Sequence, residues 1–317
     1  KIEFLQSNLF EKINKKYDTI IFNPPYLPED IKVKDLTLDG GKKGYEILER
    51  FINETNNYLK KEGIILILFS SLTKKDKIDE FIEKNLLESK LLVKKKFFFE
   101  ELYVYLVKKS SILKKLENKK TSDIKYFTKG KRGFIFVAKH KNKKVAIKIK
   151  NPKSKAMSRI ENEIDNLKLL NKKSIGPKLL FHEKDFLVYE FVEGIEVLDF
   201  LKKSNKKDSL KIIKDLFNQL FIMDKLNINK EEMSHPHKHI IINNKNKATL
   251  LDFERCHYTI KPGNVTQFCD FLISKRVSTL LKTKKIKISN KKMINTAIAY
   301  KKNQNKKNYL EITRVIR

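Results

Sequence analysis

Thr19-Ile20-Ile21-Phe22-Asn23-Pro24-Pro25-Tyr26 joins an apolar, strand-like run to a turn that cannot continue as regular structure. Two consecutive prolines lack backbone donors and fix φ, so they neither extend a central strand nor open a helix interior, and the chain must turn rigidly after Phe22. In open α/β sheets, ligands bind at the carboxyl ends of strands. The Asn23 carboxamide oxygen and a proline carbonyl held in such a turn can both accept hydrogen bonds from an NH2 group, concentrating electron density on its nitrogen. Tyr26 offers a flat face to a planar amide or base. A turn that merely ends a strand is the plain alternative, and the flanking residues weigh against it.

Downstream come Leu27-Pro28, then Asp39-Gly40-Gly41-Lys42-Lys43-Gly44, and an amphipathic stretch through Leu48, Phe51, Ile52 and Leu59. The buried-strand pattern Ile64-Ile65-Leu66-Ile67-Leu68-Phe69 follows. Phe97-Phe98-Phe99-Glu100-Glu101-Leu102 then leads into an apolar strand, Tyr103 to Val107. With Asn23, Pro24, Pro25 and Tyr26, these segments resemble the release-factor glutamine methyltransferases and their archaeal and eukaryotic relatives over roughly residues 1–109. The resemblance implies an amide nitrogen as methyl acceptor, a translation release factor as partner and S-adenosylmethionine as methyl donor. Adenine amino-methyltransferases share the Asn-Pro-Pro turn, so adenine remains the alternative acceptor.

The same resemblance implies, upstream of the turn, a Gly-rich strand-to-helix loop and an acidic residue on the cofactor ribose. Neither occurs in this sequence, which begins at Lys1. Asn8 stands where the family has Asp near the cofactor adenine. Residues 1–109 are therefore expected to be the carboxyl-terminal half of a methyltransferase, a partial Rossmann-like sheet with the substrate-side turn but not the cofactor cradle, and inactive by itself.

The 317 residues suffice for two domains, and 40% hydrophobic content excludes wholesale disorder. No apolar run approaches the ~18 residues of a membrane span. Two cysteines without a pairing framework, Cys256 and Cys269, and no signal-peptide pattern suggest a reducing, cytoplasmic setting. The net charge of +32 is uneven: residues 1–110 hold 21 Lys and Arg against 18 Asp and Glu, and residues 111–317 hold 49 against 20. The shift marks a boundary, with a linker expected over 110–124.

The second half carries a nucleotide-site pattern in order. Lys129-Gly130-Lys131-Arg132-Gly133-Phe134 is a short glycine turn able to lay backbone N–H groups over phosphates. In Val145-Ala146-Ile147-Lys148-Ile149 the period-two alternation sends Val145, Ile147 and Ile149 to the core and puts Ala146 and Lys148 on the other face, a small roof for an adenine beside a cation for phosphates. A solvated lysine on a lysine-rich strand is the alternative. Residues 160–170 have helical apolar spacing and set Glu163 to pair with Lys148. Phe186 to Gly194 is a strand entering a hinge, where the backbone of Glu190 and Val192 faces an adenine edge. Asp252, after Leu250-Leu251, is an acid at a strand end, suited to magnesium.

This order resembles RIO-type and small archaeal Ser/Thr protein kinases over residues 125–275, implying an α+β bilobal protein-kinase-like domain that uses ATP and Mg, with its acceptor substrate unnamed. Two positions depart from the kinase pattern. Glu232-Met233 supplies a carboxylate for the proton acceptor and sets His239 near the second metal position, but with extra residues between them; counted back from Ile240, Ser234 takes the acceptor place. Glu254 stands where the kinase motif has Gly. An ATP-binding pseudokinase scaffold is therefore the alternative to a kinase. His235, His237 and His239 would share a face in an extended segment, but interruption by Pro236 and Lys238 favours phosphate or substrate contact over zinc. The stretch from Lys275 to Arg317 holds 14 Lys and Arg and one acid, Glu311, with Tyr300 and Tyr309 interleaved. It reads as a basic extension, 276–317, suited to RNA or ribosome contact, or else as the lysine bias of the whole chain.

Overall fold

The structure, a computed structural model, describes residues 2–29, 35, 37–130, 133–151 and 160–316. The chain is mixed α/β with several sheets and divides into two compact units, one of residues 1–128 with 136–143, the other of residues 129–135 with 144–317.

The first unit holds β1 (Tyr17–Phe22), α1 (Glu46–Thr55), β2 (Leu59–Ser70), α2 (Lys75–Lys84), β3 (Leu87–Lys96), β4 (Glu101–Lys109) and α3 (Ser111–Asn118). Its sheet runs β1-β2-β4-β3. β1 and β2 are parallel, with Ile20 opposite Ile65 and Phe22 opposite Ile67, so a crossover must join them, and α1 lies within it. β4 pairs antiparallel with both β2 and β3. Alternation along β2 buries Ile65, Ile67 and Phe69, while α1 buries Leu48, Phe51 and Ile52. The Phe51 ring stacks on Phe22 at 3.9 Å, seating α1 on the strand that ends in the proline turn. Leu59, grouped in the sequence with the α1 stretch, instead begins β2, because the chain turns at Thr55–Tyr58, where the Tyr58 N–H donates to Thr55 O at 3.0 Å.

Residues 110–124, read from the sequence as a linker, hold α3 and the start of β5 (Thr121–Lys129). The charges that suggested a linker lie on the outer face of α3, which buries Leu113 and Leu116 and is capped by Ser110 Oγ accepting from Leu113 N at 3.2 Å. The division between the units runs through β5 and β6 (Gly133–His140).

The second unit continues with β7 (Lys143–Lys150), α4 (Ile160–Asn171), β8 (Leu179–His182) and β9 (Phe186–Glu190). β9 pairs antiparallel with both β7 and β8. Then come β10 (Ile195–Glu196), α5 (Val197–Lys203), α6 (Lys206–Lys225), β11 (Ile228–Asn229), β12 (Ile240–Ile242), β13 (Ala248–Leu250) and β14 (His257–Tyr258), followed by α7 (Asn264–Ile273), α8 (Lys275–Thr283), α9 (Asn290–Lys302) and α10 (Lys306–Arg314). β12 sits between β10 and β13, and β11 pairs with β14. A core centred on α6 gathers Leu216, Phe217, Leu220 and Met223 with Phe268 and Phe271 of α7.

The basic stretch 276–317 belongs to this core rather than trailing from it. Val277, Leu281, Met293, Tyr300, Tyr309 and Ile312 are buried, and Tyr309 stacks on Phe221 at 4.2 Å. The two tyrosines expected among the lysines as a nucleic-acid face are thus inside the protein. Tyr300 Oη–H donates to Asp224 Oδ2 at 2.9 Å, while the Asn264 side chain donates to Asp224 Oδ1 at 2.7 Å and to Ile228 O at 2.6 Å. Asp224 so ties α6, α7 and α9 together. A hydrogen bond to a buried charged group contributes about 1.5–3 kcal/mol, so Tyr300→Phe should lower unfolding free energy by about that much. Urea unfolding checks it: an unchanged midpoint would mean that α9 is not joined to α6 through this bond.

Candidate active sites

In the first unit, β1 ends at Phe22 and the chain enters the turn with Asn23 exposed and Pro24 buried. The glycine segment is its buttress. Leu27 N–H donates to Leu38 O at 2.9 Å, and Gly40 N–H returns to Leu27 O at 2.8 Å. A Cβ on Gly40 would stand 2.8 Å from Pro25 O and 2.9 Å from Tyr26 Cα; on Gly44, which has φ +80°, it would stand 2.7 Å from Tyr26 O. Glycine is required at both places so that one backbone can lie against the other. Burial, with the negative charge of Glu100 second, pushes the Tyr26 phenol above its ordinary pKa, so it stays a neutral donor and flat surface. Glu100 is itself fixed by Ser70 Oγ–H at 2.5 Å. Asn8 Nδ2 donates to Glu11 Oε1 at 2.7 Å, and Asn8 Oδ1 accepts from Arg50 Nη2 of α1 at 3.3 Å.

In the second unit, residues far apart in sequence converge on one ammonium. Lys148 Nζ lies 2.6 Å from Glu163 Oε2, 3.1 Å from Asp252 Oδ1 and 3.1 Å from Glu254 Oε2. β7 delivers Lys148, α4 delivers Glu163, and the segment after β13 delivers the other two acids. Asp252 sits at φ +62°, a left-handed conformation that Asp tolerates better than most residues, and this bend brings Glu254 inward. Glu254, read from the sequence only as a departure from the motif, is buried on Lys148 and is a site residue that sequence reasoning missed.

Burial acts to deprotonate Lys148, but Glu163, Asp252 and Glu254 outweigh it and hold its pKa well above the ordinary lysine value. Burial would likewise raise Asp252; Lys148 and then Lys230 reverse this and hold the carboxyl at about 2. Glu163, the deepest of the three acids, is raised by burial against the pull of Lys148. Oxygen atoms of Glu163, Asp252 and Glu254 lie within 4.8 Å of one another, a set of hard ligands of the kind magnesium takes, and the cation they share in this structure is Lys148.

Other expected site residues fall around this centre or apart from it. Ala146 is buried on β7. Gly130 N–H donates to Gly133 O at 2.9 Å, closing the glycine turn, whose Lys131 and Arg132 lie outside the described residues. A Cβ on Gly133 would come 2.4 Å from Ile149 O, so strand packing alone demands glycine there. Glu190 and Val192 line a cavity of about 1010 Å³ with Lys144, Pro177, Gly194 and Asn243, and none of Lys148, Glu163 and Asp252 lines it.

Residues 231–239 fold into successive turns, with His235 N–H on Glu232 O at 3.1 Å and His239 N–H on Pro236 O at 3.0 Å. The three histidines therefore do not share the face that an extended segment would give them, and among the described residues they form no three-ligand cluster. His239 Nδ1 is 3.9 Å from Asp252 Oδ2; burial, then Lys230, pushes the imidazole below its ordinary pKa. Glu232 Oε2 accepts from Lys230 Nζ at 3.0 Å, and the same ammonium donates to Asp252 O, which links Glu232 to the acid cluster. Ser234 Oγ instead pairs with His235 Nδ1 at 3.1 Å. Cys256 and Cys269 are buried free thiols, Cys256 pushed up to about 12 by burial, as packing cysteines are.

Residues 1–99 match the family model of the methyltransferase small domain. A putative protein N5-glutamine methyltransferase of Methanocaldococcus jannaschii is 45% identical over 108 residues, 32% of this chain and 55% of that protein. The release factor glutamine methyltransferase of Aquifex aeolicus is 40% identical over 70 residues, 19% of this chain and 25% of its own length. The chain thus spans about half or less of the length of these relatives. Among solved structures, the E. cuniculi Mtq2-Trm112 complex, described as methylating the eRF1 translation termination factor, is 24% identical, covers 33% of this chain and 60% of its own, and has a TM-score of 0.29. The Cydia pomonella granulovirus kinase PK-1 is 19% identical, covers 45% of this chain and 55% of its own, and has a TM-score of 0.38. No helix among the described residues is long and apolar enough to cross a membrane. Residues 1–99 form a methyltransferase small domain, homologous to the release-factor glutamine methyltransferases.

Proposed function

We propose that the first unit contributes the substrate side of a glutamine-amide methyltransferase whose acceptor is a translation release factor. The observation that carries this is the Asn23–Tyr26 turn, pressed into shape by Gly40 and Gly44 inside the region that matches the methyltransferase small domain. The family implies S-adenosylmethionine, which supplies an electrophilic methyl group. Asn23 Oδ1 and a proline carbonyl accept the two amide N–H groups and Tyr26 lies against the amide plane. So held, the amide nitrogen would be presented to the methyl donor with its lone pair free, and the proton it loses on methylation would leave from an N–H that Asn23 or the proline carbonyl accepts. Loss of an oriented polar stabiliser raises a barrier by about 2.7–4 kcal/mol, so Asn23→Ala should slow transfer about 10²- to 10³-fold. Release factor is incubated with S-adenosylmethionine and this chain, joined to the part of the Methanocaldococcus relative that it does not match. Mass spectrometry should find the methyl group on a glutamine. Label confined to adenine in nucleic acid, or equal rates for Asn23→Ala and parent, would contradict the assignment.

We further propose that the second unit binds ATP with magnesium and transfers its terminal phosphoryl group to a hydroxyl or to water. The support is the convergence of Lys148, Glu163 and Asp252. Magnesium-ATP would supply the phosphoryl group, with ADP as the leaving group, and a dication. Glu163 fixes the reach of Lys148 toward phosphate, Asp252 offers oxygen to the metal, and Glu232 takes the acceptor proton. The ion pair of Glu254 with Lys148 favours a second reading, a scaffold that binds ATP without turnover. At about 100 times its dissociation constant, magnesium-ATP should stabilise the fold by about 2.7 kcal/mol. Calorimetric melting should show this gain in wild type and lose it in Lys148→Met. No gain in wild type at millimolar nucleotide would sink the ATP reading, and a gain without phosphoryl transfer would favour the scaffold.

A further inference from the structure

Lys230 is wholly buried, with 0% of its side chain exposed, in a chain whose lysines are otherwise mostly solvated. A buried ammonium persists only where its donors are satisfied and negative charge is near. Here Nζ donates to Glu232 Oε2 at 3.0 Å and to the backbone carbonyl of Asp252, and it lies 5.5 Å from the centroid of the Phe253 ring. Its own backbone is anchored: Lys230 N–H donates to Asn264 Oδ1 at 2.7 Å, and Asn264 is held by Asp224. The ammonium thus bridges a rigid internal network to the one peptide in the site with left-handed backbone, that of Asp252.

Resting on the phosphoryl-transfer reading above, we propose that Lys230 is a positioning residue of that site, locking the Asp252 peptide and the Glu232 carboxylate into one frame. Asp252 is turned so that its side chain meets Lys148 while its carbonyl points to Lys230. Glu232 gives Oε2 to Lys230, and Oε1, 4.0 Å from Arg255 Nε, is left for an acceptor proton. Without the ammonium, Glu232 and the Asp252 carbonyl lose their shared partner, and the spacing between metal-side carboxylate and base is no longer fixed. Lys148, Glu163 and the Asp252 carboxylate, which carry the nucleotide-binding role, pair with one another through Lys148 rather than through the Lys230 ammonium, which holds the Asp252 carbonyl. The effect therefore belongs in turnover rather than in nucleotide affinity.

The test uses the full chain with magnesium and γ-labelled ATP, measuring the nucleotide-dependent melting shift together with kcat and KM for label transfer to water or protein. Lys230→Met, which keeps the aliphatic stem, should retain the melting shift and a KM within about threefold of wild type while kcat falls about 10²-fold. Lys230→Arg, which restores cationic donors, should recover kcat to within about tenfold of wild type. If Lys230→Met does not fold, Lys230→Gln, which keeps one donor for the Asp252 carbonyl, carries the same expectation with a smaller fall in kcat. Wild-type kcat in the neutral variants, or loss of the melting shift in parallel with kcat, would overturn the positioning role. Wild type that shows neither a melting shift nor label transfer would instead overturn the ATP reading, and the inference with it.

Discussion

The second unit is organised around one ammonium group shared by three carboxylates. Lys148 is almost fully buried, and so are Glu163 and Glu254, so each would be costly to desolvate alone. Together they are tolerable because opposite charges meet at 2.6–3.1 Å in a poorly screened setting. Taking the cation away would leave clustered acids without compensation, a change that typically costs 3–5 kcal/mol for a buried pair. This requirement fixes the register of β7 against α4 and the bend at Asp252. It also accounts for the burial of the Glu254 carboxylate, 3.1 Å from the Lys148 ammonium.

The first unit depends on backbone contact more than on charge. Its turn is held by a second backbone segment close enough that glycine is required at positions 40 and 44. The Phe22–Phe51 stack seats α1 beneath β1, and burial, with Glu100 second, raises the Tyr26 phenol above its ordinary pKa. What results is a proline turn fixed by backbone contact, with exposed Asn23 at its start and the Tyr26 ring at its end.

The features legible in the sequence were those with strong local signals. The proline turn, the alternation of Val145, Ile147 and Ile149, and the spacing that pairs Glu163 with Lys148 all reappear in the structure, because each follows from backbone chemistry or a single periodicity. Lysine excess hid the rest. α3 was masked by charges around Leu113 and Leu116, and α9 and α10 by a run of basic residues whose buried face shows only in Met293, Tyr300, Tyr309 and Ile312. Lys230 could not be told from the other lysines by composition; its place between buried Ile228 and Met233 was the available signal. The interruption of the histidines at Pro236, legible in the sequence, lies where the hydrogen bonds at Glu232 and Pro236 fold the chain into turns.

The most direct test of the shared-charge account is a double-mutant cycle on Lys148 and Glu163, read by denaturant unfolding of wild type, Lys148→Met, Glu163→Gln and the double variant. If the ammonium is what makes the clustered acids tolerable, Glu163→Gln should be harmful alone but should recover stability in the Lys148→Met background, with a coupling energy of about 0.5–3 kcal/mol. Losses that simply add, to within about 0.3–0.5 kcal/mol, would show that the two groups act independently and would contradict the account.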